Sequence, residues 1–345
     1  METKIFQVQS LPSAAVQQAA EVIKKGGLVA FPTETVYGLG ANGLDAEASA
    51  GIYRAKGRPS DNPLILHISS MEMLKEIAAE IPPVAKKIMT ASCPGPVTLI
   101  LKRTEKVPLS ITGGLDTVGV RMPDHDVARA LIAAAGVPIA APSANISGRP
   151  SPTTAEAVAA DMDDRIDVIL DGGACNFGVE STIVDCTSEF PTILRPGAVT
   201  WEMLTELLGE VRIDPALAGE KTIPKAPGMK YTHYAPKAPL TLIEGDSAHM
   251  AEAFSREIKR LKGEGRRPGV IVSAETAKIL GSSDCFVYGS RADVEKIAAS
   301  LYEALRSFDS SPVDVLLAEG VSEEGLGLAI MNRLHKASGF RSIFV

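Results

Sequence analysis

The sequence predicts an α/β protein in two parts: an N-terminal twisted mixed β-sheet with helices, and a smaller C-terminal Rossmann-like parallel α/β domain. Three observations carry that expectation. The chain has 345 residues, and at roughly 100–200 residues per domain two domains are expected. Residues 240–345 alternate short apolar, β-rich runs with helical patterns, as a parallel sheet covered by helices on both faces requires. Residues 1–213 hold more strand-like runs than crossover helices, so their sheet is expected to be mixed.

Between these blocks lies 214–239, with five of the 23 prolines and a net charge of +2 between blocks of −7 and −2. A proline-rich, mildly basic stretch of this kind reads as an interdomain linker. Lys230, Tyr231, His233 and Tyr234 give it more chemistry than a spacer needs. A long segment without regular structure is often a functional lid. The expected divisions are therefore 1–213, 214–239 and 240–345.

In chain order, a helix is expected over 12–25, stopped by Gly26-Gly27, and then a strand over 28–31. Residues 38–43, GLGANG, formally match G-x-G-x-x-G, but Pro32 and the polar residues 33–35 interrupt the strand that must precede a dinucleotide fingerprint. A glycine-rich turn leading to a helix capped by Asp45 is expected instead. That helix runs over 46–55 and ends among Arg54, Lys56 and Arg58, where Pro59 stops it. Further strands are expected at 64–68, 97–101, 117–121, 139–141, 168–170, 181–185 and 192–194. Helices are expected at 71–79, 83–91, 127–135 and 154–160. The C-terminal block alternates strands at 240–243, 269–272, 285–288 and 313–318 with helices at 248–261, 274–280, 292–308 and 323–337.

Composition narrows the function classes. Hydrophobic residues at 45% and charged residues at 22% describe a folded chain. Aromatics at 5% leave few stacking platforms for single-stranded nucleic acid, and a net charge of −7 does not suit a nucleic-acid coat or a membrane-surface protein. The first ten residues, METKIFQVQS, lack a basic-then-apolar signal pattern, and the apolar run 130–142 is too short to span a bilayer. A cytoplasmic location is expected. Cys93, Cys175, Cys186 and Cys285 form no C-x-x-C pair and read as buried thiols in a reducing compartment. The five histidines are scattered, so no metal site built from protein side chains is expected. No Gly-Lys dipeptide occurs, which excludes a Walker A loop.

Several constellations carry chemistry. Lys56-Gly57-Arg58, followed by Ser60, Asp61 and Asn62, is either a solvated helix end or an anion site at a strand-end crevice. Arginine would supply a fork for phosphate and lysine a point charge. Residues 143–151, SANISGRPS, offer three hydroxyls, an amide and a guanidinium. They read as an ordinary loop or as the hydroxyl-rich side of a magnesium-nucleotide pocket. Arg121 and Arg195 each end an apolar strand shortly before a proline, and together they read as anion ligands rather than two separate ion pairs. His67 lies inside an apolar run and on its own reads as a core histidine; Glu180-Ser181-Thr182 opens another strand.

In order, PTETVYGLG, KGRPSDNPL, GPVTLIL, VGVRMP, PSANISGRPSPT, ESTIVD and LRPGAV resemble a YrdC-type domain. With APGMKYTHYAP and the α/β tail, the whole chain resembles the long, two-domain form of the threonylcarbamoyl-AMP synthase family. The resemblance implies that L-threonine and bicarbonate form a carbamate, which attacks the α-phosphate of ATP. Pyrophosphate leaves, and the product L-threonylcarbamoyladenylate feeds modification of adenosine 37 in tRNA. It implies a threonine-contacting set of Thr35, His67, Arg121, Ala141 and Ser181. It implies an ATP set of Arg58, Asn62, Thr117, Ser143, Ser151, Arg195 and Tyr234, with Tyr234 on a lid over the nucleotide. Lys56 and Arg58 form its K-x-R element, and Ser143 and Asn145 its S-x-N element; these four are the expected catalytic residues. Mg²⁺ is expected to enter on ATP, and bicarbonate to be the co-substrate. The expected onward partner is the tRNA threonylcarbamoyl-transfer machinery, with at most a weak contact to tRNA itself and none to a membrane.

The residue types suit phosphoryl chemistry, which needs positioning and charge neutralisation more than covalent catalysis. No general base stands out, and a carbamate oxygen is already anionic. Two other functions stay open on sequence alone: a double-stranded RNA-binding module, and a carbamoyl-adenylate-forming enzyme.

Overall fold

The first sheet is assembled from strands that lie far apart in the chain. The computed structural model describes residues 2–218, 233–281 and 285–345. It divides into one unit of Met1–Ser147 with Ser151–Lys230, and a second of Gly148–Pro150 with Tyr231–Val345.

The first unit opens with β1 (Lys4–Gln7), α1 (Ala14–Lys24), β2 (Val29–Phe31) and β3 (Gly38–Asn42). It continues with α2 (Ala46–Lys56), β4 (Ile65–His67), α3 (Met71–Ile77), α4 (Pro83–Ser92) and β5 (Val97–Lys102). Next come α5 (Leu109–Thr112), β6 (Thr117–Arg121), α6 (Asp126–Ala135), β7 (Ile139–Ala140) and α7 (Ala155–Met162). Then follow β8 (Val168–Asp171), β9 (Thr182–Asp185), β10 (Thr192–Arg195), α8 (Trp201–Leu208) and β11 (Arg212–Ile213).

Among the described residues these strands form one sheet in the order β1-β8-β2-β3-β7-β4-β6-β5-β9-β10-β11. Parallel pairs such as β4/β6 and β5/β9 alternate with antiparallel pairs such as β4/β7 and β5/β6. The sheet is mixed, as the surplus of strands over crossover helices implies. One face packs on α1 and α6 through Val16, Ile23, Phe31, Leu131 and Ile132. The other buries Tyr37, Ile52, Leu66, Leu99 and Val184 in a larger cluster.

Helix ends follow the local chemistry. Asp45 accepts from the Glu47 and Ala48 amides and starts α2, while Gly57 closes it in the left-handed conformation. Arg54 is exposed, as a solvated helix residue should be. The stretch expected as a glycine-rich turn is instead strand β3, paired antiparallel with β2 and β7. Its glycines answer a packing need rather than a turn. A Cβ on Gly40 would lie 2.7 Å from Ile139 Cγ2 and 2.8 Å from Phe31 Cε1.

The second unit contains β12 (Leu240–Glu244), α9 (Met250–Gly263), β13 (Pro268–Ser273), α10 (Ala274–Leu280) and β14 (Cys285–Gly289). It ends with α11 (Val294–Arg306), β15 (Val315–Glu319), α12 (Gly327–Ser338) and β16 (Ser342–Phe344). Its five strands are parallel in the order β14-β13-β15-β12-β16. Phe254, Val272 and Leu317 are among its fully buried side chains. Of the segment expected as linker and lid, 219–232 lies outside the described residues, and with it Lys230 and Tyr231. Among the described residues no helix is long and apolar enough to cross a membrane. None of the four cysteines is in a disulfide, and burial pushes the Cys175 and Cys186 thiols up to about 12.

Candidate active site

Parallel pairing of β4 with β6 sets His67 opposite Arg121 at the ends of both strands. Both side chains are almost wholly buried. From the loop after β2, Glu34 reaches Arg121, with Oε2 2.7 Å from Nη2. The contact is an ion pair rather than an aligned hydrogen bond, since neither the Glu34 oxygens nor Arg121 Nη2 has a partner with hydrogen-bond geometry. Arg121 Nε points at the Gly95 carbonyl, 3.4 Å away. Burial pushes the Glu34 carboxyl up, but Arg121, with smaller help from the Asp124 and Glu34 backbone, more than offsets it, so the group sits below the usual carboxylate range.

Burial, reinforced by the charge of Arg121, drives the His67 imidazole down to about 3. His67 is therefore neutral at physiological pH. Its Nδ1 lies 3.3 Å from the Ile65 carbonyl, an acceptor-only group that the N–H of a neutral imidazole can satisfy. The Phe31 ring meets it edge-on at 6.0 Å between centroids.

The loop carrying Glu34 is tied down by hydroxyls. Thr33 Oγ1 lies 2.9 Å from Thr35 Oγ1 and donates to the Val36 carbonyl at 2.7 Å. The Glu34 carbonyl accepts from the Asn176 and Phe177 amides. Thr35 is fully buried.

A second arginine is fixed in a similar way. Arg195, at the end of β10, donates through Nε to the Ser181 carbonyl at 3.0 Å and through Nη2 to Ser181 Oγ at 3.1 Å. Ser181 Oγ also lies 2.8 Å from Thr98 Oγ1 on β5. Ser151 Oγ donates to Glu180 Oε1 at 2.6 Å, next to Ser181 in the chain. Arg121, Gly95, Thr98, Ser181 and Arg195 thus gather where β6 and β10 end and β5 and β9 begin.

Lys56 is not a solvated helix end. It is 1% exposed, and its Nζ donates to the carbonyls of Ser143 and Asn145 at 2.5 Å each. The Ser147 amide donates back to the Lys56 carbonyl at 2.9 Å. Ser143 Oγ donates to Asn145 Oδ1, and Asn145 Nδ2 to the Ile146 carbonyl at 2.7 Å. The K-x-R and S-x-N elements are therefore physically one piece. The Ala144 amide bonds to the Tyr37 carbonyl and the Leu39 amide to the Pro142 carbonyl, joining this loop to β3 and the segment before it. The Ala141 amide reaches the Ile65 carbonyl at 2.9 Å.

Arg58 is half-buried; its Nη2 donates to the Pro63 carbonyl at 3.1 Å, and its Nε faces the Asn62 carbonyl at 3.4 Å. Thr117 begins β6 whereas Arg121 ends it. The parallel register of β4 and β6 carries Thr117 to the level of Pro63, whose carbonyl accepts from Arg58. Tyr234 belongs to the second unit, where its ring lies 5.5 Å from that of Tyr302 and its φ is +65°. Arg149, the guanidinium of the 143–151 stretch, is likewise in the second unit and pairs with Asp309 at 2.5 Å.

Sequence reasoning missed Glu34, Thr98 and the partnership of Glu180 with Ser151. The signal for Glu34 lay in PTET, where a carboxylate among hydroxyls adjoins a buried strand. Thr98 had a weaker one, a hydroxyl inside an apolar strand.

Fold and site together define a two-unit α/β protein of the YrdC type. The family described as telomere recombination, Sua5/YciO/YrdC, matches residues 21–197. The family described as threonylcarbamoyl-AMP synthase, C-terminal domain, matches residues 199–339. The chain is 51% identical to the threonylcarbamoyl-AMP synthase of Pyrococcus abyssi, covering 96% of each chain. It is 48% identical to that of Bacillus subtilis, covering 95% of this chain and 94% of the relative. The crystal structure of P. abyssi Sua5 complexed with L-threonine superimposes with a TM-score of 0.95 at 50% identity, over 99% of this chain and all of that one. The chain belongs to the threonylcarbamoyl-AMP synthase family.

Proposed function

We propose that the chain makes L-threonylcarbamoyladenylate from L-threonine, bicarbonate and ATP, releasing pyrophosphate. The observation that carries this reading is Arg121, buried at a strand end, oriented by Glu34 and bordered by a neutral histidine. A guanidinium held in this way suits the carboxylate of an amino acid. A relative solved with L-threonine and similar over the full chain supports the same choice of substrate.

In this reading Thr35, His67, Arg121, Ala141 and Ser181 hold threonine. Neutral His67 borders the carboxylate site without adding charge beside Arg121. The threonine nitrogen attacks the bicarbonate carbon, hydroxide leaves as water after protonation, and a carbamate results. A carbamate oxygen then attacks the α-phosphorus of ATP, and the bond to the pyrophosphate oxygen breaks. Arg58, Asn62, Thr117, Ser143, Ser151 and Arg195 hold the nucleotide, whose Mg²⁺ enters with its phosphates as part of the substrate. Lys56 acts through the loop it anchors, keeping Ser143 and Asn145 in place. Tyr234 joins the nucleotide set on the strength of the motif resemblance. The product is a mixed anhydride, and it supplies threonylcarbamoyl transfer to adenosine 37 of tRNA in the cytoplasm.

The test is product analysis with ATP, Mg²⁺, labelled bicarbonate and an amino-acid panel. Pyrophosphate release that requires both threonine and bicarbonate, with label in the adenylate, is expected. Release indifferent to bicarbonate would overturn the reading. For Tyr234, a Tyr234→Ala chain with unchanged product yield and product lifetime would remove it from the set.

A further inference from the structure

The second unit contains a crevice of about 780 Å³ that plays no part in the site above. Its size is ordinary for a small-molecule site. Its place in the sheet is equally specific. From β12 the chain crosses through α9 to β13, while from the neighbouring β15 it crosses through α12 to β16 on the other side. The two connections leave in opposite directions, so a gap opens beyond the carboxyl ends of β12 and β15. Such switch points are where open α/β sheets bind ligands.

The last residues of those two strands, Glu244 and Glu319, set the chemistry. Glu319 is fully buried and already satisfied. It accepts from the Ser273 amide at 2.8 Å, Ser273 Oγ at 2.9 Å and Arg291 Nε at 2.7 Å. Arg291 also donates to Thr276 Oγ1 at 2.6 Å, so the one guanidinium that lines the crevice among the described residues is committed to its floor. Glu244 is 8% exposed and lines the crevice directly. Both its oxygens face a single nitrogen, His335 Nε2, at 3.2 and 3.0 Å. One N–H cannot saturate a carboxylate, which keeps acceptor capacity on the crevice side. Glu323, exposed at the rim, adds a second carboxylate. The walls are apolar, with Met250, Met331 and Phe344 among them. After β15, Gly320 leaves room for this floor, since a Cβ there would lie 3.0 Å from Glu244 Cβ.

A phosphate group would meet Glu244 and Glu323 with no uncommitted guanidinium to receive it. We propose that this crevice is a second small-molecule site, and that it takes a compact organic cation, an ammonium group on an apolar body. The ammonium meets Glu244, and the body lies between the methionines. The inference does not depend on the synthase reading of the first unit.

The test uses three probes with one phenyl-alkyl body and different head groups: phenethylamine, phenethyl alcohol and 3-phenylpropanoate. Each is titrated into the full chain carrying ¹³C-methyl methionine, with the Met250 and Met331 signals read by NMR. The expected result is that the amine shifts both signals and binds about tenfold or more tightly than the alcohol, with the carboxylate weakest. Glu244→Gln, which keeps shape, should remove that preference. Glu323→Lys, a rim change that does not touch the core, should weaken the amine and strengthen the carboxylate. Equal binding of all three probes, tighter binding of the carboxylate, or no shift at Met250 and Met331 up to about 10 mM amine would each overturn the proposal.

Discussion

Glu34 Oε2 and Arg121 Nη2 meet at 2.7 Å, with 3% and 5% of their residues exposed. Removing one charge from a buried pair strands the other, which costs about 3–5 kcal/mol. Glu34→Ala is therefore expected to lose stability of that order in urea unfolding, and Glu34→Gln, which keeps an acceptor, to lose less. In both, the KM for threonine should rise while that for ATP stays near wild type. Arg121→Lys, which removes the fork but keeps the charge, should raise the threonine KM by about tenfold or more.

Lys56→Met tests the loop anchor. The change keeps most of the buried stem but withdraws the ammonium from the Ser143 and Asn145 carbonyls. A buried acceptor that loses its donor costs about 1–3 kcal/mol. The expected phenotype is a destabilised chain whose kcat falls more than its ATP affinity, measured by unfolding and by steady-state kinetics.

These two residues mark how far the sequence could be read. The apolar runs of β5, β6 and β8 announce themselves, because a buried strand needs little beyond β-branched and aliphatic residues. Edge strand β1 did not, since its side chains are mostly exposed, and neither did the two-residue β11. The K-x-R and S-x-N residues were visible as motifs. That Lys56 turns inward to hold Ser143 and Asn145 was not visible, because a lysine at a helix end reads as solvated. Glu34 was overlooked because its partner sits on a strand elsewhere in the sheet.

β3 is the clearest case of a local rule overruled by packing. Ala at position 40 would press against Ile139 and Phe31, both fully buried. Gly40→Ala is expected to cost about 1–3 kcal/mol through overpacking, read as a fall in the urea midpoint. Because Phe31 also lies edge-on to His67, threonine affinity should weaken alongside.

His67 gives a pH signature. Its folded value is about 3 against an ordinary 6.5, so between these values the unfolded chain binds the proton and the folded chain does not. The contribution is complete above 6.5 and is lost progressively as pH falls toward about 3. Thermal unfolding across that window should show a steeper decline for wild type than for His67→Gln. Parallel curves would contradict a neutral, buried imidazole.

The long-range pairing at the edge of the first sheet also governs the order of assembly on the ribosome. β1 runs beside β8, and the neighbouring bond from Thr3 Oγ1 to the Ile166 carbonyl closes a separation of 163 positions. β2 likewise pairs with β8. At ~5–20 residues per second, the opening strands wait on the order of ten to thirty seconds after synthesis before their partner is made. The apolar β2, VAF, spends that interval without the strand that later covers one of its edges. A nascent chain with this topology holds an apolar strand edge open while synthesis proceeds, so its folding yield should respond to translation speed.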